Sequence, residues 1–313
     1  MDDPRHVPVL VEEVLRYLAP ERGGWFADCT VGLGGHAAAL LAAAPQARLI
    51  GIDRDPQALA AARRRLAPFG ARAVLVEGRF SDLPQLLAAQ GVGRVAGILA
   101  DLGLSSLQLA QAERGFAFAL DGPLDMRMDG PGDVGGRTAA QIVNRDSEDD
   151  LTRLFRTFGE ERQARRIARA IVEARRQRPI ETTAQLRALV EQVKSRPPGG
   201  RRRIHPATQV FQALRIAVNR ELDELQALMK NAAEQLEQDG RMVMISYHSL
   251  EDRIVKNALR DLATGTVDPV TGRPHSESRV IEVLTRKPVR PRAEEVAANP
   301  RARSARLRAG RRL

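Results

Sequence analysis

The feature that most restricts the fold is a rhythm in the first third of the chain. Four short apolar runs, WFADCT, ARLIGID, ARAVLVEG and VAGILADLG, are separated by the stretches AAALLAAA, PQALAAARRRLA and SDLPQLLAAQ. Strand-length runs alternating with helices of about ten residues define βαβ units, whose strands lie parallel in one sheet. Pro56 sits just inside the start of its helix, where a missing N–H does no harm. Ahead of the first run, Val7, Leu10, Val11, Val14, Leu15 and Leu18 recur at helical spacing and predict an amphipathic helix over 7–18.

After Leu109 the rhythm stops. FAFALDGPLDMRMDGPGDVGGRTAA is rich in glycine and proline and reads as loop, and the helical segments SEDDLTRLFRTF, EERQARRIARAIVEARRQ and TTAQLRALVEQVKS follow. In the second of these, Ala164, Ile167, Ala168, Ile171 and Val172 form an apolar stripe and arginines fill the other face. Beyond the loop PPGGRRRIHP, one long helix, ATQVFQALRIAVNRELDELQALMKNAAEQLEQDG, leads to a strand RMVMISY, a helix from Leu250 to Leu262 and a last strand region SRVIEVLT. The sheet thus resumes. The expected organisation is a discontinuous α/β domain, 1–109 with 205–313, around an inserted all-helical domain, 110–204. The final ARSARLRAGRRL is basic enough to be expected partly disordered.

Cys29 is the only cysteine among 313 residues, so neither an internal disulfide nor a cysteine metal cluster can form. The acidic start, MDDPRHVPVL, has no basic n-region, and no run of 18 apolar residues occurs. A cytoplasmic protein without a membrane span is expected. The net charge of +10 is unevenly placed: 145–203 holds 16 basic and 9 acidic residues, and 286–313 holds 10 and 2. The remainder is therefore slightly acidic. Positive charge gathered into two segments suits a polyanionic partner, while an arginine-rich composition bias remains the plain alternative.

The first βα junction, DCTVGLGGHAAAL, carries the candidate binding site. Gly32-Leu-Gly34-Gly-His-Ala37 fits the spacing of a nucleotide-binding turn, and Asp53 closes the next strand 21 residues after Gly32, where a carboxylate can take ribose hydroxyls. Glycine is needed because a Cβ would block close approach and because some positions require positive φ. Alone, this fits NAD nearly as well as S-adenosylmethionine. Asp28 favours the latter, since a carboxylate there suits a cationic amino-acid tail and repels a pyrophosphate. Phe80, after the third strand, can lie against an adenine or serve as a half-buried core residue. Asp101 and Gln108, after the fourth, bring a carboxylate and an amide to the place where the transferable group should sit.

Taken together, HVPVL, DCTVGLGGH, GIDRDPQAL, GRFSDL, DLGLSSLQL, RGFAF, PLDMRMD, SYHSLEDR and NPRARSARLR resemble, in order and over nearly the whole chain, the RsmH (MraW) family. Members of that family methylate the N4 amine of a cytidine in the decoding region of 16S ribosomal RNA. The resemblance implies a class I S-adenosylmethionine-dependent methyltransferase sheet with a helical insertion for substrate recognition. It also implies a donor site made of Gly34, Gly35, His36, Asp53, Phe80, Asp101 and Gln108, and 16S rRNA, within the assembled small subunit, as partner. No metal is expected: His36 has no second ligand at metal spacing and is better suited to orienting the glycine turn.

Many amino-methyltransferases carry a D/N/S-P-P-aromatic tetrad after the fourth strand. Here the segment is Asp101-Leu-Gly-Leu104, without the prolines or the aromatic. The expected catalytic set is therefore Asp101 or Asp125 as acceptor for the amine, with Tyr247 or His248 forming part of the base pocket. The competing expectation for Tyr247 and His248 is a strand-end network that only fixes a loop. Arg127 and the basic loop Arg201, Arg202 and Arg203 are the expected RNA contacts, with the tail arginines as sequence-blind phosphate contacts. Two rivals stand beside this reading: a non-catalytic RNA-binding assembly factor on the same fold, and an NAD-dependent dehydrogenase, which would need a second βαβ half where the helical insertion lies.

Overall fold

The structure, a computed structural model, describes residues 8–129, 136–194, 205–266 and 276–313. The chain divides into two compact units, Met1–Gly103 with Leu222–Leu313, and Leu104–Glu221. The second unit is wider than the expected 110–204 at both ends. Leu104 and Leu109 pack on its helical core, and the segment after Pro206 supplies Val210, Phe211 and Leu214 to that core.

The first unit opens with α1 (Val11–Leu18), β1 (Gly24–Asp28), α2 (Gly35–Ala43), β2 (Ala47–Asp53), α3 (Pro56–Leu66), β3 (Ala73–Glu77), α4 (Leu83–Ala89) and β4 (Val95–Asp101). The expected first helix begins later than predicted, because Leu10 takes a left-handed conformation at its N-cap. Asp55 caps α3 by accepting from the Gln57 N–H, which fixes where β2 hands over to the helix.

The second unit is all helix: α5 (Ser106–Ala110), α6 (Ala139–Arg145), α7 (Glu148–Gly159), α8 (Ala164–Gln177), α9 (Thr183–Val193) and α10 (Thr208–Asn219). Capping boxes start α6 at Thr138 and α9 at Thr182, each worth about 1 kcal/mol. The α8 stripe of Ala164, Ile167, Ala168 and Ile171 is buried, as its spacing predicts. The buried Lys194 ammonium is paired with Glu161 and also donates to the Pro206 carbonyl.

The chain returns to the first unit through α11 (Glu221–Gln235), β5 (Leu236–Ser246), α12 (Ser249–Thr264), β6 (Ile281–Val283), α13 (Ala293–Ala298) and β7 (Arg306–Arg312). The single long helix expected before β5 is two. Arg220 turns left-handed, and its N–H closes back on the Ile216 carbonyl. The neighbouring Asn219 side chain is drawn away to the Met126 carbonyl and the Met128 N–H.

The seven strands lie in the order β3-β2-β1-β4-β5-β7-β6. The first five pair in parallel, whereas β7 runs antiparallel to both β5 and β6. Alternate residues feed two cores: Phe26, Leu49, Leu99 and Val243 one, Ala27, Ile50, Ile98 and Met242 the other. The expectation of a partly disordered tail is corrected here. Leu307 and Ala309 of β7 are fully buried in the sheet. Three of the tail arginines are paired with acids: Arg306 and Arg308 meet Asp252, and Arg311 meets Glu282 and Asp239. Among the described residues, no helix is long and apolar enough to cross a membrane.

Candidate active site

Between β1 and α2 the backbone turns at Gly32 (φ 51°) and Gly34 (φ 76°), angles that side chains resist. Gly34 is the N-cap of α2, so the turn delivers the free N–H groups of a helix start to the end of β1. The spacing of 21 residues between Gly32 and Asp53 becomes a direct contact. Asp53 Oδ2 accepts from the Gly32 N–H at 2.9 Å and Oδ1 from the Asp55 N–H at 2.9 Å.

Three carboxylates gather at the ends of β1, β2 and β4. Asp28 is 2% exposed and accepts from the Thr30 N–H at 3.1 Å. The Thr30 hydroxyl oxygen in turn accepts from the Asp101 N–H at 2.6 Å. Burial pushes Asp28 up to about 7, against the opposing pull of His36 and the Thr30 N–H, with Asp101 and Asp53 pushing the same way as burial. Burial likewise lifts Asp53 to about 6, partly offset by the N–H groups of Asp55 and Gly32. Asp101 is also raised, burial outweighing His36 and Tyr247. Desolvated carboxylates with further acidic groups close by gain most from a ligand that brings positive charge. A sulfonium with an ammonium tail meets that condition, and a dinucleotide pyrophosphate does not.

Asp101 is gripped from two sides. The Tyr247 hydroxyl donates to Oδ1 at 2.9 Å, and His36 Nδ1 lies 3.7 Å from Oδ2. His36 Nε2 donates to the Val9 carbonyl at 2.8 Å, which directs Nδ1 towards Asp101. Burial and the Asp101 charge push the Tyr247 phenol well up, so it stays a donor. Gly103 (φ 105°) brings the loop after β4 against the Tyr247 ring.

Tyr247 and His248 therefore part ways. The N–H groups of both donate to Glu251 Oε2, at 2.9 and 3.3 Å, and His248 Nδ1 accepts from the Glu251 N–H as the cap of α12. His248 is held in a helix cap, the network weighed against a role for it, whereas Tyr247 reaches the carboxylate. Phe80 is half-buried at the start of a short turn, its ring partly packed on the core. Thr30 and Glu251 were missed by sequence reasoning. Glu251 had a signal, since His248-Ser-Leu-Glu251 has the spacing of a capping box.

The remaining predicted residues lie in the second unit. Gln108 is buried in a capping box, its amide oxygen accepting from the Ser105 N–H at 3.1 Å. Asp125 does not stand free to receive an amine. Both its oxygens take the Arg127 guanidinium, Oδ1 from Nε at 2.8 Å and Oδ2 from Nη2 at 2.7 Å. Between them Met126 is fully buried with φ 66°, a strained conformation held by Asn219 on its carbonyl and by its own N–H on Arg114 O. Arg201, Arg202 and Arg203 lie outside the described residues. On α8, Arg165, Arg166 and Arg169 line a concave patch together with Glu173.

A mainly parallel sheet in this strand order, with β7 inserted antiparallel and a glycine turn after β1, defines a class I S-adenosylmethionine-dependent methyltransferase. Residues 3–313 match the MraW methylase family, and the chain belongs to it. It is 50% identical over 315 residues to a ribosomal RNA small subunit methyltransferase H of Thermobifida fusca, covering 99% of this chain and 94% of that one. It is 51% identical over 312 residues to the protein of the same name from Nitrobacter hamburgensis, covering 98% and 91%. Among solved structures it resembles an rRNA methylase from Streptococcus thermophilus at 10% identity, with 98% and 99% coverage and a TM-score of 0.44.

Proposed function

We propose that the protein transfers a methyl group from S-adenosylmethionine to the exocyclic N4 amine of a cytidine in the decoding region of 16S rRNA, working on the small ribosomal subunit in the cytoplasm. The observation that carries this reading is the partly buried Asp101 gripped by Tyr247 beside the glycine turn. Gly34, Gly35, His36, Asp53 and Phe80 hold the donor, and Asp28 faces its cationic tail. The donor supplies an electrophilic methyl; everything else falls to the chain.

The N4 lone pair is delocalised into the cytosine ring, so the amine is a weak nucleophile. An acceptor on its N–H returns electron density to nitrogen, and the nitrogen must lose one proton once the new N–C bond has formed. Asp101 is suited to both tasks. Burial makes its carboxylate more basic than an ordinary one, and the Tyr247 hydroxyl fixes its orientation. The same charge held close to a sulfonium would favour the ground state, so the carboxylate serves best directed at the amine. Tyr247 also offers an aromatic edge to the base, in place of the missing tetrad aromatic.

Reaching N4 requires the cytidine out of its stack. The Asp125–Arg127 pair on its strained loop is assigned to the RNA side, with Arg127 exchanging Asp125 for a phosphate or base. Arg165, Arg166 and Arg169, which among the described residues keep only long contacts of 3.7 to 3.9 Å to Glu148 or none to an acid, serve as sequence-blind phosphate contacts, and Arg201 to Arg203 are assigned to the same task. The test is to incubate the protein with S-adenosylmethionine and unmodified small subunits, digest the RNA and identify the nucleosides by mass spectrometry. N4-methylcytidine is the expected product. Donor binding without any methylated nucleoside would favour the assembly-factor reading.

A further inference from the structure

The glycine turn is covered by the segment Pro8-Val9-Leu10. The Pro8 ring fills the space that a side chain at Gly35 would need, with Cγ 3.1 Å from the position of a Cβ there. The next peptide unit is shared between two partners. Its oxygen, Val9 O, accepts from His36 Nε2 at 2.8 Å, and its N–H, that of Leu10, donates to Glu295 Oε1 of α13 at 2.7 Å. A peptide is planar, with its C=O and N–H pointing opposite ways, so one rigid plane connects a carboxylate of the C-terminal segment to the imidazole of the donor turn. Leu10 is 1% exposed and has φ 56°, an unfavourable conformation for leucine that needs an outside hold. As the N-cap residue of α1, its N–H has no place in the helix ladder, and Glu295 takes it.

We infer that Glu295 is a positioning residue for the donor site: it pins the Val9–Leu10 peptide, which holds the proton of His36 on Nε2 and keeps Nδ1 directed at Asp101. Without the carboxylate the peptide plane is free to turn. His36 then loses its acceptor at Nε2, and the ring loses the hold that directs Nδ1 at Asp101. This inference rests on the reading that His36 and Asp101 face the donor. Glu295 acts on the turn only through this peptide, and its charge also reaches the Tyr247 hydroxyl, which is why donor affinity, and not the transfer rate, is the readout.

The test is calorimetric titration of S-adenosylhomocysteine into Glu295→Ala, Glu295→Gln, His36→Ala and the Glu295→Ala/His36→Ala double variant, with folding checked by circular dichroism. Losing a hydrogen bond to a charged group predicts about tenfold weaker binding for Glu295→Ala. Glu295→Gln, whose amide oxygen still accepts from Leu10, should bind within about twofold of the unaltered protein, and the double variant no more weakly than His36→Ala alone. Unaltered affinity in Glu295→Ala beside a weakened His36→Ala would overturn the positioning role, as would full additivity of the two losses. Unaltered affinity in His36→Ala would remove the donor-site reading itself. Should Glu295→Ala unfold, nitrogen NMR of His36 in the unaltered protein decides: a protonated, hydrogen-bonded Nε2 is expected, and an unprotonated Nε2 would overturn the inference.

Discussion

Asp28 turns burial into a pH dependence. Its folded pKa of about 7 lies above the ordinary 3.8, so between those values the native state holds a proton that the unfolded chain has released. Its contribution to stability is therefore lost as pH rises through this window. Asp28→Asn should be more stable than the unaltered protein at pH 8, with the gap closing towards pH 4 in thermal unfolding. A cationic donor reverses the preference, so S-adenosylmethionine affinity should climb between about pH 6 and 8, with proton release detected by calorimetry in buffers of different ionisation enthalpy. At Asp101, removing the hydroxyl that orients it (Tyr247→Phe) should lower the rate of methyl transfer by about tenfold to a hundredfold and leave donor affinity little changed. Such pairings were hidden from the sequence: Asp101 and Tyr247 are 146 positions apart, and only the folded sheet sets β4 beside β5. The place of Asp53 at the end of the strand after the glycine turn was legible, because a turn and the next strand end are fixed by local spacing; its bond to the Gly32 N–H was not.

At the scale of elements, the first four strands and the three helices between them were readable because apolar period and turn chemistry agree in each. The last strand was not. RLRAGRR reads as a basic tail until Leu307 and Ala309 are seen as alternate residues facing the core, a period-two signal obscured by the arginines between them. Those arginines matter structurally. Arg308 is buried against Asp252, donating from Nε to Oδ1 at 2.7 Å, so Asp252→Ala would leave an unpaired buried cation. A loss of about 3–5 kcal/mol is expected in denaturant unfolding. The break at Arg220 was equally unreadable: no glycine or proline marks it, and its cause is Asn219 turned towards Met126 and Met128.

For the whole molecule, Arg306, Arg308 and Arg311 are paired with acids outside the tail, so the 10 basic against 2 acidic residues of 286–313 overstate what is free for a polyanion. On the function proposed above, the helical unit is expected to carry the larger share of the attraction for RNA. Raising salt from 50 to 200 mM should raise the KM for small subunits by an order of magnitude or more, and replacing Arg165, Arg166 and Arg169 together by alanine should flatten that dependence. The central claim is that one partly buried carboxylate, held by a tyrosine beside the donor turn, receives the amine. Its most direct test is the single-turnover rate of methyl transfer to small subunits by Asp101→Asn at saturating donor. A fall of about a hundredfold or more, with the donor still bound, is predicted. A rate equal to that of the unaltered protein would contradict the account.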